Sequence, residues 1–295
     1  MGGRSKPKES PMRVATVAGR LSLVRDGRVT DVEKASDGLF GHDPQAVYER
    51  WSEFRAWAAT ATLTPDADLD APVLDVSLLG PPTPAPRQVF AVGLNYADHA
   101  AETGFALAET EPPIFTKFPS CVTGPYGTVA LPPGGHTDWE VELVVVIGKA
   151  AHHISPEDAL DHVAGYTVGQ DLSERTLQLA SAPPQFSLGK SFPGFAPMGP
   201  WLVTLDELAD PLDLGLECLV NGETVQSART SAQIFPVREL LARLSRTVTL
   251  LPGDVVFTGT PAGVALGRDP QCWLRPGDRL TSRIEGIGEM EQVFA

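Results

Sequence analysis

Two glutamates stand two residues apart within an apolar stretch of the sequence. Glu140 and Glu142 alternate with Val141 and Leu143, and the run then continues to Ile147. Side chains two positions apart on a β-strand point to the same face, so both carboxylates would lie side by side. Burying two like charges together is costly unless something compensates them. The spacing therefore predicts either a cation bound between them or a half-exposed strand with a wet acidic face.

A third acid, Asp171, follows the next apolar strand, which covers residues 165–170. Pairing of the two strands would bring its carboxylate to the same spot; the alternative is that Asp171 caps a turn. Three oxygen ligands completed by water suit a hard cation, Mg²⁺ or Mn²⁺ before Zn²⁺, because no Cys or His has ligand spacing nearby. Asp138 is not counted as a ligand, because the Gly- and Pro-rich residues before it make a role in a loop or at a strand end as plausible as metal binding.

A histidine and a glutamate stand three residues apart in a stretch of good helix formers. His99 and Glu102 would share one face of a short helix for which Asn95 is the candidate N-cap. A carboxylate beside an imidazole raises its basicity and fixes its tautomer, which predicts that His99 is a general base that activates water. The alternative is an ordinary surface contact between the two side chains.

Two lone cations, Lys117 and Lys190, lie among apolar neighbours. A partly buried lysine needs an anion, such as a substrate carboxylate or a developing enolate, whereas a surface lysine only lays its aliphatic stem on the protein. The Gly/Pro-rich run over 253–263 offers backbone donors and two hydroxyls that suit a carboxylate, or it forms a plain turn. Residues 189–191 resemble the end of a phosphate-binding loop, but 185–188 lack the glycine that this motif requires, which excludes nucleotide binding.

The composition excludes several classes of partner. A formal net charge of −14 and a pI near 4.8 argue against nucleic acid and anionic membrane surfaces, which require clustered Lys and Arg. The longest apolar stretch, Leu143 to Ile147, is far shorter than the roughly 20 residues that cross a bilayer. The three cysteines have no C-x-x-C spacing, which favours a reducing compartment. We therefore expect a soluble cytoplasmic protein that binds neither nucleic acid nor membranes.

Frequent Gly and Pro residues favour short strands joined by turns over a helical bundle. The chain is expected to divide into a loose leader at 1–11, a small N-terminal domain at 12–80, a proline-rich linker at 81–87 and a main domain at 88–295. The small domain should contain two short strands around the turn at 25–27 and a helix over 44–59. In the main domain the pattern predicts strands at 139–147, 164–170, 215–220 and 254–258 and helices at 156–163 and 237–244.

Six motifs occur in an order that resembles the fumarylacetoacetate hydrolase superfamily, from roughly Val89 to the C-terminus. They read Gly-Leu-Asn-Tyr-Ala-Asp-His at 93–99, Phe-Thr-Lys-Phe at 115–118, Asp-Trp-Glu-Val-Glu-Leu at 138–143, Gln-Asp-Leu-Ser-Glu-Arg at 170–175, Gly-Lys-Ser-Phe at 189–192 and Thr-Gly-Thr-Pro-Ala-Gly at 258–263. The resemblance implies a β-rich α+β fold in which mixed sheets wrap into a barrel-like roll, with a small N-terminal α+β domain and homodimeric assembly.

The same resemblance implies a role for each candidate residue. The metal ligands fall at Glu140, Glu142 and Asp171, the water-activating dyad at His99 and Glu102, the charge-stabilising lysine at Lys190, and the substrate contacts at Lys117, Gln178 and Thr260. Thr176 and Glu174 depart from the pattern, since many members carry an acid and a small residue at these positions. This departure leaves the identity of the substrate open near Arg175.

The resemblance implies an enzyme that uses Mg²⁺ or Mn²⁺ to cleave a carbon–carbon bond in a small β-diketo acid, such as an acylpyruvate, fumarylpyruvate or a diketo-deoxy sugar acid. In this hypothesis, water activated by His99 attacks the distal carbonyl and an enolate leaves. A decarboxylase or a tautomerase/isomerase would use the same enolate, but these reactions have less need of an activated water. A non-catalytic metal-binding relative is the alternative of another class, and the intact set of residues argues against it.

Overall fold

The computed structural model describes residues 12–60, 72–106 and 110–295, and the predicted leader at 1–11 lies outside them. In chain order the strands are β1 (Arg13–Val17), β2 (Arg20–Arg25), β3 (Arg28–Asp31), β4 (Leu79–Gly80), β5 (Val89–Val92), β6 (Ile114–Thr116), β7 (Val122–Thr123), β8 (Tyr126–Val129), β9 (Thr137–Asp138), β10 (Val141–Ile147), β11 (Val163–Gln170), β12 (Ser173–Glu174), β13 (Ala196–Val203), β14 (Gly215–Val220), β15 (Glu223–Arg229), β16 (Val255–Phe257), β17 (Arg279–Ile284) and β18 (Gly288–Phe294). The α-helices are α1 (Val32–Ala35), α2 (Trp51–Thr60), α3 (Ala97–Thr103), α4 (Arg175–Gln178), α5 (Phe186–Gly189) and α6 (Val237–Ser245).

Most of these strands form one large mixed sheet. Its main path runs β3-β2-β1-β13-β11-β10-β16-β5-β6, while β4 joins β1 and β7 joins β13 to the side. A second sheet has the order β15-β14-β17-β18-β8, and β9 pairs separately with β12. Strands β14, β17 and β18 pack against β10, β11 and β13, and the core lies between these two layers. The predicted β-rich α+β fold with mixed sheets is therefore confirmed.

Strand β10 lies at the centre of the molecule. It pairs antiparallel with β11 on one side and with β16 on the other, and each of its residues is buried. A strand with covered faces and two neighbours reads as a nearly continuous apolar run, which explains the sequence from Val141 to Ile147. Glu142 is the one charged residue in this run, so its burial calls for a specific partner.

The N-terminal strands extend the large sheet, because β1 pairs with β13 through Arg13↔Val203 and Val14↔Leu202. The helix expected over 44–59 is a 3-10 helix, Ala46–Arg50, followed directly by α2. Aromatic side chains from this region pack with ring centroids 5.4–5.8 Å apart, and they are Phe40, Tyr48, Trp51, Phe54 and Trp57. The division of the chain at 81–87 stays a prediction.

The helix predicted over 156–163 is wrong. This stretch forms only a 3-10 helix, Ala159–His162, and Val163 already belongs to β11, where it pairs with Ile147. The pairing with the central strand outweighs the weak local helical pattern. In the part of the chain that the structure describes, none of the helices is long and apolar enough to cross a membrane.

Candidate metal and acid–base site

The pairing of β10 with β11 places three acids at one end of the central strands. Val141 lies opposite Gln170, and the Asp171 N–H donates to the Glu140 carbonyl at 2.9 Å, so the ladder continues one residue beyond both strands. One carboxylate oxygen from each of Glu140, Glu142 and Asp171 lies within 4.8 Å of the others, and all three side chains are buried. The predicted strand pairing thus brings the candidate ligands together.

Two of the three carboxylates share an ammonium group. The Lys190 Nζ atom donates to Glu140 Oε2 at 2.8 Å and to Asp171 Oδ2 at 2.6 Å. Glu142 differs from them, because among the described residues it forms no ion pair and accepts the Gly259 N–H at 2.7 Å. Glu142 is therefore the carboxylate that most needs a further cation.

The pKa shifts agree with this difference. Burial raises the pKa of Glu142 well above its ordinary value, and the charges of Asp171 and Glu140 add to the shift. Burial would also raise the pKa of Glu140, but the charges of Lys190 and Arg175 outweigh it and lower the pKa to about 2. Clustered carboxylates of this kind are the donor set that Mg²⁺ and Mn²⁺ prefer, so the residues fit a divalent cation.

The balance of charge in this buried cluster is close to neutral. Three cationic side chains, Lys117, Lys190 and Arg175, face four carboxylates, which are Asp138, Glu140, Glu142 and Asp171. The formal sum is one negative charge, and a divalent cation would change it to one positive charge. The loaded site would then attract an anionic substrate.

The Lys117 side chain binds groups of the protein itself. It is fully buried, and its Nζ atom donates to Asp171 Oδ1 at 2.6 Å and to the Lys190 carbonyl oxygen. Like Glu142 and Asp171, it does not line the cavity described below. Lys117 thus holds Asp171, and its contact with a substrate stays a prediction.

Replacing Lys117 by methionine should destabilise the cation-free protein by about 3–5 kcal/mol, because it leaves a buried carboxylate with one partner fewer. Urea unfolding in the presence of EDTA measures this loss. Exposed Lys149 supplies the matched control, and Lys149→Met should leave the unfolding free energy within about 0.5 kcal/mol of wild type. Equal effects of the two substitutions would contradict the role assigned to Lys117.

His99 and Glu102 form the expected contact on α3. The His99 Nδ1 atom lies 2.9 Å from Glu102 Oε1, and the His99 side chain is 7% exposed. Both Glu102 oxygens also accept the Gly263 N–H, at 3.0 and 2.9 Å. Glu102 is thereby fixed from two sides, and with Nδ1 occupied the Nε2 atom of His99 is left as the proton acceptor.

The predicted N-cap of α3 is wrong. Tyr96 takes the N-cap position without a side-chain hydrogen bond. The Asn95 side chain instead donates to the Phe235 and Thr258 carbonyl oxygens and accepts the Phe235 N–H. Asn95 thus ties the start of α3 to two distant segments. Its buried amide makes three hydrogen bonds there, which satisfies more of its polar atoms than an N-cap bond would.

The Gly/Pro-rich run over 253–263 does hold carboxylates, but they belong to the protein itself. The Gly259 N–H holds Glu142 and the Gly263 N–H holds Glu102. The Thr260 hydroxyl donates to the Val141 carbonyl and accepts from Gln226, although Thr260 also lines the cavity. This run therefore positions the metal ligand and the dyad from one side.

Arg175 is the functional residue that the sequence left without a role. Its guanidinium donates to Asp138 Oδ2 at 2.9 Å, to Glu140 Oε1 at 2.7 Å and to Gln178 Oε1 at 2.8 Å. It lies at the start of α4, which Glu174 caps by accepting the N–H groups of the following residues. The unusual Glu174 is thus a helix cap, and it places Arg175 against the acidic cluster.

One small cavity collects the acid–base and charged groups. Its volume is about 30 Å³, so a ligand must be compact or displace part of the lining. The polar part of the lining consists of His99, Thr103, Glu140, Arg175, Gln178, Lys190 and Thr260. The apolar part consists of Val92, Leu94, Phe105, Phe115, Leu179, Phe186 and Leu266. The cavity therefore has one charged wall and one apolar wall.

Comparison with known sequences agrees with this arrangement. The family model of the fumarylacetoacetate (FAA) hydrolase C-terminal domain matches residues 88–295. A human protein, the mitochondrial oxaloacetate tautomerase FAHD2A, is 47% identical over 218 residues, which make up 74% of this chain and 69% of the human one.

Solved structures resemble the chain over most of its length. A Mycobacterium smegmatis protein assigned provisionally as HpcE is 56% identical, with a TM-score of 0.91 over 96% of this chain and 99% of its own. Fumarylpyruvate hydrolase from Pseudomonas aeruginosa, solved with Mn²⁺ and pyruvate, is 35% identical. Its TM-score is 0.65, over 71% of this chain and 90% of the hydrolase.

Proposed function

This chain belongs to the fumarylacetoacetate hydrolase family, and we propose from this premise that it interconverts the keto and enol forms of a small 2-keto dicarboxylate. Oxaloacetate is the first substrate to test. The buried acidic triad and the Mn²⁺ bound by a relative support a divalent cation as cofactor. Tautomerisation is thus our first candidate function, in place of the hydrolysis that the sequence motifs favoured.

The observation that carries the proposal is the single cavity shared by His99, Lys190 and Arg175 beside the acidic triad. His99 supplies a base whose tautomer Glu102 fixes, and base catalysis of this kind contributes about 10²–10⁴-fold. A keto–enol conversion needs a base and a stabilised enolate, and it does not require room for a second reactant.

The two cationic side chains in the cavity favour a substrate that carries a keto oxygen and a carboxylate. Lys190 has three donor hydrogens and uses two of them on Glu140 and Asp171, which leaves one for a substrate oxygen. Arg175 presents a buried guanidinium on the same wall, with Gln178 attached to it. A substrate carboxylate on this wall would be held by charge-assisted hydrogen bonds.

In the proposed reaction, the His99 imidazole takes a proton from the carbon between the keto group and the distal carboxylate. Glu102 stabilises the resulting imidazolium, and Lys190 donates a hydrogen bond to the enolate oxygen, where negative charge develops. The proton is then returned to that oxygen, so the composition of the substrate does not change. A divalent cation held by Glu140, Glu142 and Asp171 would supply Lewis-acid polarisation of the keto group.

Hydrolytic carbon–carbon cleavage is the second candidate function. The His99–Glu102 pair also suits the activation of water, and a relative with 35% identity is a fumarylpyruvate hydrolase. This reaction requires space for water and for an acyl group next to the apolar wall formed by Phe105, Phe115 and Phe186.

The two functions are separated by their products. Oxaloacetate is added in its enol form from a dry solvent. The loss of the ultraviolet absorbance of the enol is then measured with Mn²⁺ or with EDTA present. We expect Mn²⁺-dependent acceleration with no change of mass, and no cleavage of acylpyruvates or fumarylpyruvate. Pyruvate and carbon dioxide as products would identify a decarboxylase, and two acids from an acylpyruvate would identify the hydrolase. Inactivity toward oxaloacetate with Mn²⁺ present would contradict the proposal.

We also propose a homodimer in the cytoplasm, as the family resemblance and the composition predict. Light scattering coupled to size exclusion measures the oligomeric state directly, and fractionation of the source cells measures the location. The human relative is named as a mitochondrial protein, so a compartment other than the cytoplasm is the outcome that would correct the second prediction.

A further inference from the structure

We propose that Arg268 is a positioning residue for the His99–Glu102 pair and acts through the backbone of Gly263. The inference rests on the proposed function, in which His99 is the base. Arg268 is partly buried and does not line the cavity, so it influences the reacting atoms only through the groups that it holds.

Gly263 is held at both of its backbone polar groups. Its carbonyl oxygen accepts from Arg268 Nε at 3.3 Å, from Arg268 Nη2 at 3.2 Å and from Trp139 Nε1 at 3.1 Å. Its N–H donates to both oxygens of Glu102. The donors to the carbonyl restrain the glycine on one side, and on its other side the N–H holds the carboxylate that contacts His99.

The local backbone requires glycine at position 263. Its φ angle is +111°, which L side chains rarely adopt, and an added Cβ would lie 2.0 Å from the Val225 carbonyl oxygen. Arg268 Nη2 donates to that same oxygen at 3.2 Å. Arg268 thus links the glycine to the neighbouring strand β15.

The same contacts connect the base to the acidic triad. The Arg268 guanidinium lies 5.5 Å from the centroid of the Trp139 ring, and Trp139 immediately precedes Glu140 in the chain. Asp138 accepts the N–H groups of Ala265 and Leu266 on the other side of the same loop. Residues 263–268 therefore contact both Glu102 and the segment that leads into Glu140.

Loss of the Arg268 donors leaves the Gly263 carbonyl with Trp139 as its remaining partner. The Gly263 N–H is then restrained less firmly against Glu102, and we expect His99 to sample both tautomers. Groups that orient a reacting residue typically contribute 10–100-fold, so we expect Arg268→Met to lower kcat roughly tenfold, with little change in KM or in Mn²⁺ affinity. Arg268→Lys restores one donor and should recover part of the loss.

The decisive experiment is nitrogen NMR of protein labelled in its histidine side chains, because it reads the His99 tautomer without any substrate. The variants are Arg268→Met, Arg268→Lys and Trp139→Phe, and His99→Asn assigns the signal. Arg243→Met is the matched control, since Arg243 also lies over an aromatic ring and donates to a backbone carbonyl, but neither contacts Gly263 nor lines the cavity. Thermal midpoints and Mn²⁺ affinity are measured for each variant.

We expect wild type to hold the proton on Nδ1 of His99, and Arg268→Met to show a mixture of tautomers while Arg243→Met resembles wild type. Trp139→Phe should give a smaller shift in the same direction. An unchanged His99 signal in Arg268→Met overturns the proposal, as does an equal change in the Arg243 control. Failure of oxaloacetate turnover alone would reject the proposed function and leave this NMR result standing on its own.

Discussion

Replacing His99 by asparagine is expected to lower the turnover number for oxaloacetate tautomerisation by roughly 10²–10⁴-fold. Asparagine is similar in size and can still contact Glu102, but it cannot take a proton at neutral pH. His99 is not among the metal ligands, so the affinity for Mn²⁺, measured by calorimetry, should stay at the wild-type value. Exposed His152 supplies the control, and His152→Asn should leave both quantities unchanged.

The relation between His99 and Glu102 can be tested with a double substitution. Residues that act as a unit lose their effect together, so His99→Asn with Glu102→Gln should be about as slow as His99→Asn alone. Glutamine keeps an oxygen for the Gly263 N–H, and this preserves the local structure while it removes the charge. If the two losses multiply, Glu102 contributes by a route other than His99, and the dyad assignment is wrong.

The clustering of the three candidate metal ligands was predictable because its signal is local. Two acids at a spacing of two in an apolar run require compensation, and the third acid ends the strand that pairs with them. The antiparallel register places Asp171 opposite Glu140. Strands that follow each other in the sequence commonly pair in this way. The β-rich fold could be predicted for the same reason, since alternation and turn residues act over short distances.

The position of Arg175 could not be obtained in this way. It meets Asp138 because β9 and β12 pair through Ser173↔Asp138, and this register joins strands of only two residues each. A comparison of the number of acidic and basic residues near these strands would have pointed to Arg175. Four acids gathered around one point require several cations, and Arg175 is the arginine nearest in sequence to the acidic end of β11.

Lys117 and the Gly/Pro-rich run show a different limit. The sequence reveals available donors, but the partners that use those donors are set by tertiary structure. Lys117 could serve a substrate or Asp171 equally well from its local pattern, and burial decides for Asp171. Likewise the Gly259 and Gly263 N–H groups hold carboxylates of the protein, which lie more than 100 residues away in the chain.

Two substitutions among the metal ligands should separate cation binding from stability. Glu142→Gln and Asp171→Asn should each weaken Mn²⁺ binding by more than about 100-fold, since the loss of a ligand exceeds the 10–100-fold effect of outer-shell partners. Their effects on the cation-free protein should differ. Asp171 accepts from Lys117 and Lys190, so its replacement leaves two buried ammonium groups with fewer partners and should cost about 3–5 kcal/mol.

Glu142→Gln should instead preserve or raise the stability of the cation-free protein. Glutamine still accepts the Gly259 N–H, and no ammonium loses a partner. The raised pKa of Glu142 means that its carboxyl binds a proton more tightly in the folded state than in the unfolded state, where the pKa is near 4.5. The wild type should therefore lose stability as the pH rises above the unfolded value and through the folded one, whereas the glutamine variant should lose less.

Urea unfolding in EDTA at about pH 5 and about pH 8 compares the two variants with wild type over this window. The advantage of Glu142→Gln over wild type should be larger at the higher pH, and Asp171→Asn should be weaker than wild type at both. If Asp171→Asn proved as stable as Glu142→Gln, the lysines would not depend on Asp171 for their burial. If Glu142→Gln bound Mn²⁺ as tightly as wild type does, the cation would lie outside the triad. The metal-assisted reaction proposed above would then be contradicted.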